Sequence, residues 1–298
     1  MAFQGGKTFL ITGANEGAGF EATKLLVGKG AKVVMLCRNP DKAQAAIEEV
    51  RALHPGADVS AIQLDLASLV SVREAAAIIL EKVHRVDALI CNAAIAQIAK
   101  QERTVDGFES QLGVNHYGHF LLCGLLFEKI AEAGGRVVMV TSLAYRMNLR
   151  RIKFEDLDFD EGYSAQDAYA QSKLAQAIFG YELHRRSQAA GRGVDVYVCH
   201  PGAARTSLIR EDAPLLTRVT WKIISPVIAQ SAAKGAWPEV LSATEPDLEA
   251  EALYGPTGMA EMSGPVGKSR LEPHALDREV AARLWTVSEE KTGLEWTP

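Results

Sequence analysis

Cysteine, excess basic charge and long uncharged apolar runs are all scarce in this 298-residue sequence. The four cysteines lie far apart without a Cys-x-x-Cys pair, so we expect buried, reduced thiols and no disulfide framework or metal site. A net charge of −5 argues against nucleic acid as a partner, because nothing attracts the chain to a phosphate backbone. No signal peptide is recognisable, and no run approaches the roughly 20 apolar residues of a membrane span. The sequence therefore predicts a cytoplasmic protein.

Short apolar runs alternate along the chain with longer helical patterns. Runs such as Val33–Leu36 and Val137–Val140 are wholly apolar, which is typical of strands buried on both faces of a parallel sheet. The predicted strands are Thr8–Thr12, Ala31–Cys37, Asp58–Leu64, Ala88–Cys91, Arg136–Thr141, Asp195–Cys199 and Glu251–Tyr254. The predicted helices are Gly19–Gly28, Asp41–Leu53, Leu69–His84, Asp106–Ala133, Ala165–Ala189 and Asp277–Lys291. This alternation implies a doubly wound α/β sheet with helices on both faces, in a single domain over residues 1–298.

A glycine-rich turn joins the first predicted strand to the first helix. Glycine permits a sharp bend and a close approach to a pyrophosphate, and the helix beyond supplies free N–H groups. Glycines after a strand are also compatible with a mere tight turn, but on the first βα unit of a parallel sheet they favour a nucleotide site. The candidate cofactor residues in this turn are Gly13, Asn15, Glu16, Gly17, Ala18 and Gly19.

Several motifs, in order, resemble the short-chain dehydrogenase/reductase family. The family fingerprint Thr-Gly-x-x-x-Gly-x-Gly matches Thr12–Gly19, and Tyr-x-x-x-Lys matches Tyr169–Lys173. The other matching positions are Asn92-Ala93-Ala94, where the family usually has Asn-Ala-Gly, then Asn115, Ser142 and Pro201-Gly202. The resemblance covers residues 7–255 and implies a Rossmann fold with a nicotinamide cofactor. Cys37-Arg38-Asn39, Phe154–Phe159, Tyr169–Leu174 and His200-Pro201-Gly202 more narrowly resemble the branch of retinol dehydrogenases, WW-domain oxidoreductases and light-dependent protochlorophyllide reductases.

The predicted catalytic residues are Asn115, Ser142, Tyr169 and Lys173. Tyr169 and Lys173 are four residues apart on one predicted helix, so their side chains share a face. A neighbouring ammonium group lowers the pKa of a phenol, which would make Tyr169 a usable acid or base. Ser142, at the carboxyl end of a strand, is placed to hold the substrate oxygen. The resemblance implies that Lys173 bonds the nicotinamide ribose and that Asn115, at a helix kink, holds a water linking Lys173 to solvent.

The end of the second predicted strand bears on the choice of cofactor. NAD-binding Rossmann folds place a carboxylate there, whereas this chain has Arg38, whose guanidinium suits the 2′-phosphate of NADP. Arg38 therefore favours NADP over NAD. Glu16 argues the other way, because many NADP-binding relatives carry a base at that position; Glu16 is either solvated or paired with Arg38. The further cofactor candidates are Asp65, Leu66, Asn92, Ala93, Ala94, Tyr169, Lys173, Pro201, Gly202 and Thr206.

Residues 203–236 form a long excursion after the sixth predicted strand. Ligands bind beyond the carboxyl ends of parallel strands, so we interpret this excursion as a substrate lid. The candidate substrate residues are Leu143, Ala144, Ala203, Leu208, Leu215 and Trp221. Their apolar character favours a hydrophobic ketone or aldehyde, or the corresponding alcohol; the alternative is that several of them only pack the lid onto the sheet. The spacing of the histidines indicates no metal site.

Together these motifs predict an NADP-dependent alcohol dehydrogenase or carbonyl reductase acting on a small molecule. The alternative is a catalytically inactive nucleotide-binding regulatory or scaffold protein on the same fold, against which the intact catalytic motifs argue. The fourth and fifth helices often form dimer faces in this family, and a long lid can accompany monomers. Homodimer, homotetramer and monomer are therefore all left open.

Overall fold

The apolar runs form one sheet in the computed structural model, which describes residues 1–203 and 230–298. The strands are β1 (Thr8–Thr12), β2 (Lys32–Cys37), β3 (Val59–Gln63), β4 (Ala88–Cys91), β5 (Arg136–Val140), β6 (Asp195–Cys199), β7 (Leu253–Gly258) and β8 (Ser263–Ser269). Their order is β3-β2-β1-β4-β5-β6-β7-β8, and all neighbouring pairs are parallel except β7 and β8. The predicted doubly wound, mostly parallel α/β sheet is confirmed.

Helices cover both faces of the sheet. Within the described ranges they are α1 (Gly17–Val27), α2 (Pro40–Leu53), α3 (Leu69–Lys82), α4 (Ser110–Leu112), α5 (Gly118–Glu132), α6 (Ala165–Ala189), α7 (Ala232–Thr244) and α8 (Arg278–Thr292). The polar residues before α2 and α6 set where these helices begin: the Asn39 side chain accepts from Lys42 N, and the Ser164 hydroxyl accepts from Asp167 N. Among the helices of this described part, none has the length and apolar content needed to cross a bilayer.

Two apolar cores lie on opposite faces of the sheet. Leu10 and Val137 belong to the core under α3, α5 and α6, whereas their sequence neighbours Ile11 and Val138 belong to the core under α1, α2 and α7. Burial on both faces explains why these strands are continuously apolar. All four cysteines are buried and free, as expected. The strand order reverses between β1 and β4, which is where such sheets bind ligands at their carboxyl edge.

The helix predicted over Asp106–Ala133 is interrupted. A π-helical turn, Gly113–Tyr117, separates α4 from α5 and contains the buried Asn115. Such turns occur frequently at functional sites. The helix kink implied at Asn115 is thus a π turn, which the apolar periodicity of this stretch does not reveal.

Two elements in the C-terminal part of the chain, α7 and β8, were not predicted from the sequence. Residues 232–236 of the proposed lid form the first turns of α7, and Gly235 and Ala236 are buried there, so this end belongs to the core and not to a lid. Thr206, Leu208, Leu215 and Trp221 lie outside the described residues, where the lid stays a prediction. The edge strand β8 was not predicted because its sequence, Ser-Gly-Pro-Val-Gly-Lys-Ser, has little apolar content.

Candidate active site

The glycine turn after β1 is packed too tightly for larger side chains. Gly13 has a φ of +65°, and a Cβ on Gly19 would lie 2.5 Å from Asn92 Nδ2. Asn92, directly after β4, donates from Nδ2 to the carbonyl oxygen of Thr12 at 2.8 Å, and Ala93 N donates to the hydroxyl of Thr12 at 2.9 Å. The turns after β1 and β4 are therefore bonded to each other where the strand order reverses.

The N-terminus of α1 opens directly from this turn. Its N-cap residue, Glu16, makes no side-chain capping hydrogen bond, so the first backbone N–H groups of α1 and its helix dipole are available to an anion. Glu16 and Arg38 are both exposed and are not joined by an ion pair, which supports the solvated interpretation of Glu16. Asn15 is half-buried and Ala18 is buried in the same turn.

Three further cofactor candidates lie along the same edge. Asp65, after β3, accepts from Ala67 N at 3.0 Å, and Leu66 is buried with its carbonyl oxygen against Gly118, where a Cβ would come within 2.6 Å. Ala94 is half-buried in the turn after β4. These positions surround the carboxyl edge of β1, β3 and β4.

Ser142 and Tyr169 meet at the carboxyl end of β5. Ser142 follows β5 and caps a short 3₁₀ turn, Leu143–Arg146, by accepting from Ala144 N at 3.3 Å. The phenol of Tyr169, which α6 brings to this edge, lies close enough to the Ser142 hydroxyl for that hydroxyl to lower its pKa. A substrate oxygen could therefore contact both hydroxyls at once.

Lys173 reaches the same place from the next turn of α6 but is held by carbonyl oxygens. Its Nζ donates to the backbone carbonyl of Val140 at 3.0 Å and to Oε1 of Gln176 at 2.7 Å. Its distance from the centre of the Tyr169 ring is 5.9 Å. Burial lowers the pKa of Lys173 to about 7, against a small opposing effect of Cys199.

The phenol of Tyr169 does not show the low pKa that the sequence predicted. Burial raises its pKa to about 12, and the nearby Ser142 hydroxyl offsets only part of this rise. The expected lowering by Lys173 is absent because the ammonium group points to Val140 and Gln176. In this state of the site, burial outweighs the proximity of the two side chains on α6.

Asn115 links the π turn to α6. Its amide Oδ1 accepts from Ile95 N at 2.9 Å, and its Nδ2 donates to Ile95 O at 3.0 Å and to Ser172 Oγ at 2.9 Å. Ser172 in turn donates to the carbonyl oxygen of Tyr169 at 2.8 Å. Both N–H groups of the amide are thus used to join the turn after β4 to α6, and its implied role in holding a water stays a prediction.

His119 contacts Thr12 and Asn115 but was not among the site residues predicted from the sequence. It is fully buried, and burial lowers its pKa to about 4, so the ring is neutral. Its Nδ1 donates to the backbone carbonyl of Asn115 and its Nε2 accepts from the hydroxyl of Thr12, both at 2.9 Å. The i, i+4 spacing of Asn115 and His119 was the available signal.

The turn after β6 closes the other side of the site. Gly202 has a φ of +66°, and a Cβ on it would lie 2.5 Å from the carbonyl oxygen of Met262. Ala203 N donates to that same oxygen at 2.9 Å. Leu143, Ala144 and Ala203 are each partly exposed at this edge, as a substrate contact requires. Pro201 is half-buried beside them.

The hairpin of β7 and β8 packs against this edge of the sheet. The sequence did not predict this hairpin. At its tip, Met259, Ala260 and Glu261 all have positive φ, of 46°, 56° and 65°, an unfavourable run for residues with side chains. Glu261 forms an ion pair with Arg146 at 2.5 Å, in the 3₁₀ turn that follows Ser142. Through Met262 and Glu261 the tip contacts the turns after both β6 and β5.

The residues at this edge fit a nicotinamide dinucleotide. The uncapped N-terminus of α1, reached through the tight turn at Gly13, suits a pyrophosphate, and Arg38 stands exposed beyond β2. In the part of the chain that the structure describes, no three His, Cys, Asp or Glu side chains are grouped to bind a metal ion.

Comparisons with known proteins agree with this geometry. The family model for short chain dehydrogenase matches residues 7–153. Retinol dehydrogenase 13 of Homo sapiens is 38% identical over 97% of this chain and 86% of its own length, and human retinol dehydrogenase 12 is 37% identical over 98% and 88%. A crystal structure of an uncharacterized protein from Mycobacterium paratuberculosis superposes with a TM-score of 0.79 at 35% identity, covering 99% of this chain and 96% of that one. On this likeness over nearly its whole length, the chain belongs to the short-chain dehydrogenase/reductase family.

Proposed function

We propose that the protein is an NADP-dependent oxidoreductase that interconverts a hydrophobic ketone or aldehyde with the corresponding alcohol. The observation that carries this proposal is the meeting of Ser142 and Tyr169 at the carboxyl end of β5, with Lys173 one helical turn away. The glycine turn lies at the same edge of the sheet, so a cofactor and a carbonyl oxygen can be held side by side.

The chain's own residues account for binding and proton transfer. The amides at the start of α1 would hold the pyrophosphate, and Lys173 would bond the nicotinamide ribose. The bound nicotinamide supplies or accepts the hydride. Ser142 holds the substrate oxygen, and Tyr169 delivers a proton to that oxygen during reduction or removes it during oxidation. The high pKa of Tyr169 keeps it protonated, which suits the direction of reduction.

The preference for NADP rests on Arg38. It is exposed at the end of β2 with no carboxylate partner among the described residues, which leaves its guanidinium available to a 2′-phosphate. Charge-assisted hydrogen bonds of this kind contribute about 1.5–3 kcal/mol, roughly 10- to 150-fold in affinity. Arg38→Ala should therefore weaken NADPH binding much more than NADH binding in a fluorescence titration. An equal loss for both cofactors would contradict the NADP preference.

The substrate class rests on the apolar side chains at the edge and on the relatives. Leu143, Ala144 and Ala203 offer no charge to a substrate, and the human relatives named above are retinol dehydrogenases by name. The test is an NADPH oxidation assay with retinal, an aliphatic aldehyde, an apolar cyclic ketone and, as a polar control, a phosphorylated sugar. We expect turnover of apolar carbonyl compounds and none of the sugar. Cofactor binding without turnover of any compound would favour the inactive nucleotide-binding scaffold instead.

A further inference from the structure

Lys173 is buried without a carboxylate partner among the described residues. The side chain is fully buried, and none of the described carboxylates forms an ion pair with it. The titratable groups facing it from α5, α6 and β6 are His119, Tyr169 and Cys199. Burial keeps all three neutral near pH 7, since it lowers the pKa of His119 and raises the pKa of Tyr169 and Cys199. Within the described part of the chain, the groups left to stabilise the ammonium group are the dipoles of its two hydrogen-bond acceptors.

Gln176 provides one of the two dipoles. It lies three residues after Lys173 on α6, is fully buried, and accepts from Lys173 Nζ through Oε1 at 2.7 Å. Its Nε2 has no partner among the described residues, so this bond is the one polar contact that the structure gives the Gln176 side chain. Burying an amide that bonds to no loop or neighbouring helix costs folding free energy. The contact with Lys173 explains why Gln176 is buried here.

Another glutamine on the same helix shows the contrast. Gln171 is also buried, but its amide accepts from Lys153 N at 2.7 Å and donates to Leu157 O at 3.0 Å, so it fastens the segment before α6. Gln171 does not bond Lys173. Both residues are buried glutamines on α6. They differ in their partners, because Gln171 bonds to the backbone before α6 and Gln176 bonds to Lys173.

We propose that Gln176 is a positioning residue for Lys173, whose amide oxygen fixes the ammonium group beneath the reaction site and favours its charged form. No side-chain substitution removes the backbone carbonyl of Val140. Of the two acceptors that hold Lys173 Nζ, Gln176 is therefore the one that mutation can change. In the proposed function the ammonium group of Lys173 bonds to the nicotinamide ribose, so the consequence for turnover rests on the proposed function.

The direct test measures the titration of Lys173 in the cofactor-free protein. The Cε signal of Lys173 is followed by NMR against pH in ¹³C-lysine-labelled protein and assigned with Lys173→Met. We expect Gln176→Leu to lower the pKa of Lys173, because one acceptor is lost, and Gln176→Glu to raise it, because a carboxylate is gained. The matched control, Gln171→Leu, should leave this titration unchanged. An unchanged titration in Gln176→Leu would overturn the proposal; if that variant does not fold, a titration of Gln176→Glu identical to the wild type overturns it.

A second readout separates this proposal from the proposed function. The alkaline limb of the pH profile of kcat/KM for carbonyl reduction should move to lower pH in Gln176→Leu. On that limb the rate should fall by about tenfold for every pH unit by which the pKa of Lys173 is lowered. A changed titration without carbonyl reduction in any variant would contradict the proposed function and leave the positioning role intact. If the wild type and both Gln176 variants reduce the carbonyl compound with the same pH profile, the positioning role is contradicted and the proposed function is left intact.

Discussion

Ser142, Tyr169 and Lys173 are the residues on which the proposed chemistry depends, and their spacing made their proximity predictable. Tyr169 and Lys173 share a helix face at i, i+4, and Ser142 stands at the end of a strand, so sequence alone indicated that they meet. Their protonation was not predictable, because it depends on burial by the whole fold. Burial raises the pKa of Tyr169 to about 12 and lowers that of Lys173 to about 7. Local sequence carries no measure of that burial.

At the same scale, Asn115 should contribute to stability as well as to catalysis. Asn115→Ala would leave the half-buried N–H and C=O of Ile95 without their amide partner and remove one of the two hydrogen bonds of the buried Ser172 hydroxyl. We expect a loss of about 2 kcal/mol in the free energy of unfolding, because each unsatisfied buried group costs about 1–3 kcal/mol. Urea denaturation measures this directly. Unchanged stability with lost turnover would show that Asn115 acts only in the reaction.

Among the elements, those with strong local signals were predicted well and those defined by tertiary contacts were not. β1, β4, β6 and α6 have the predicted bounds. The π turn has no compositional signature, α7 carries Gly235 and Pro238 in its interior, and β8 pairs only with β7 at the sheet edge. Helix and strand propensities are weak where packing against the rest of the molecule decides the structure.

The hairpin of β7 and β8 should act on substrate binding through the ion pair of Arg146 and Glu261. The side chains are 19% and 18% exposed, so solvent screens the pair only in part. Glu261→Gln removes the charge and frees the 3₁₀ turn after Ser142, and we expect KM for the carbonyl compound to rise about fivefold, equivalent to roughly 1 kcal/mol. Steady-state kinetics check this. The control is Glu155→Gln, which breaks the exposed pair with Arg151 and should leave KM unchanged. Equal kinetics in both variants would contradict a role of the hairpin in the site.

On the scale of the whole molecule, the buried Glu239 on α7 should make stability depend on pH. Its carboxyl oxygens have no hydrogen-bond partner among the described residues, and burial raises its pKa from 4.5 to about 8. Between these values the folded chain holds a proton that the unfolded chain releases, so this group costs stability as pH rises, by up to roughly 1.4 kcal/mol per pH unit. Glu239→Gln removes the titration. Its stability relative to wild type should therefore increase from pH 5 to pH 8 in urea denaturation; a difference that stays constant with pH would contradict the assignment.

The central claim is that Tyr169 transfers the proton at the carboxyl end of β5. Its most direct test is single-turnover reduction of an apolar carbonyl compound by Tyr169→Phe saturated with NADPH, beside Tyr163→Phe, which removes a phenol that instead donates to Ile98 O. We expect Tyr169→Phe to bind NADPH as the wild type does but to reduce the compound about 10²–10⁴-fold more slowly, whereas Tyr163→Phe keeps its rate. A Tyr169→Phe rate within about tenfold of the wild type, with chemistry rate-limiting, would contradict the claim.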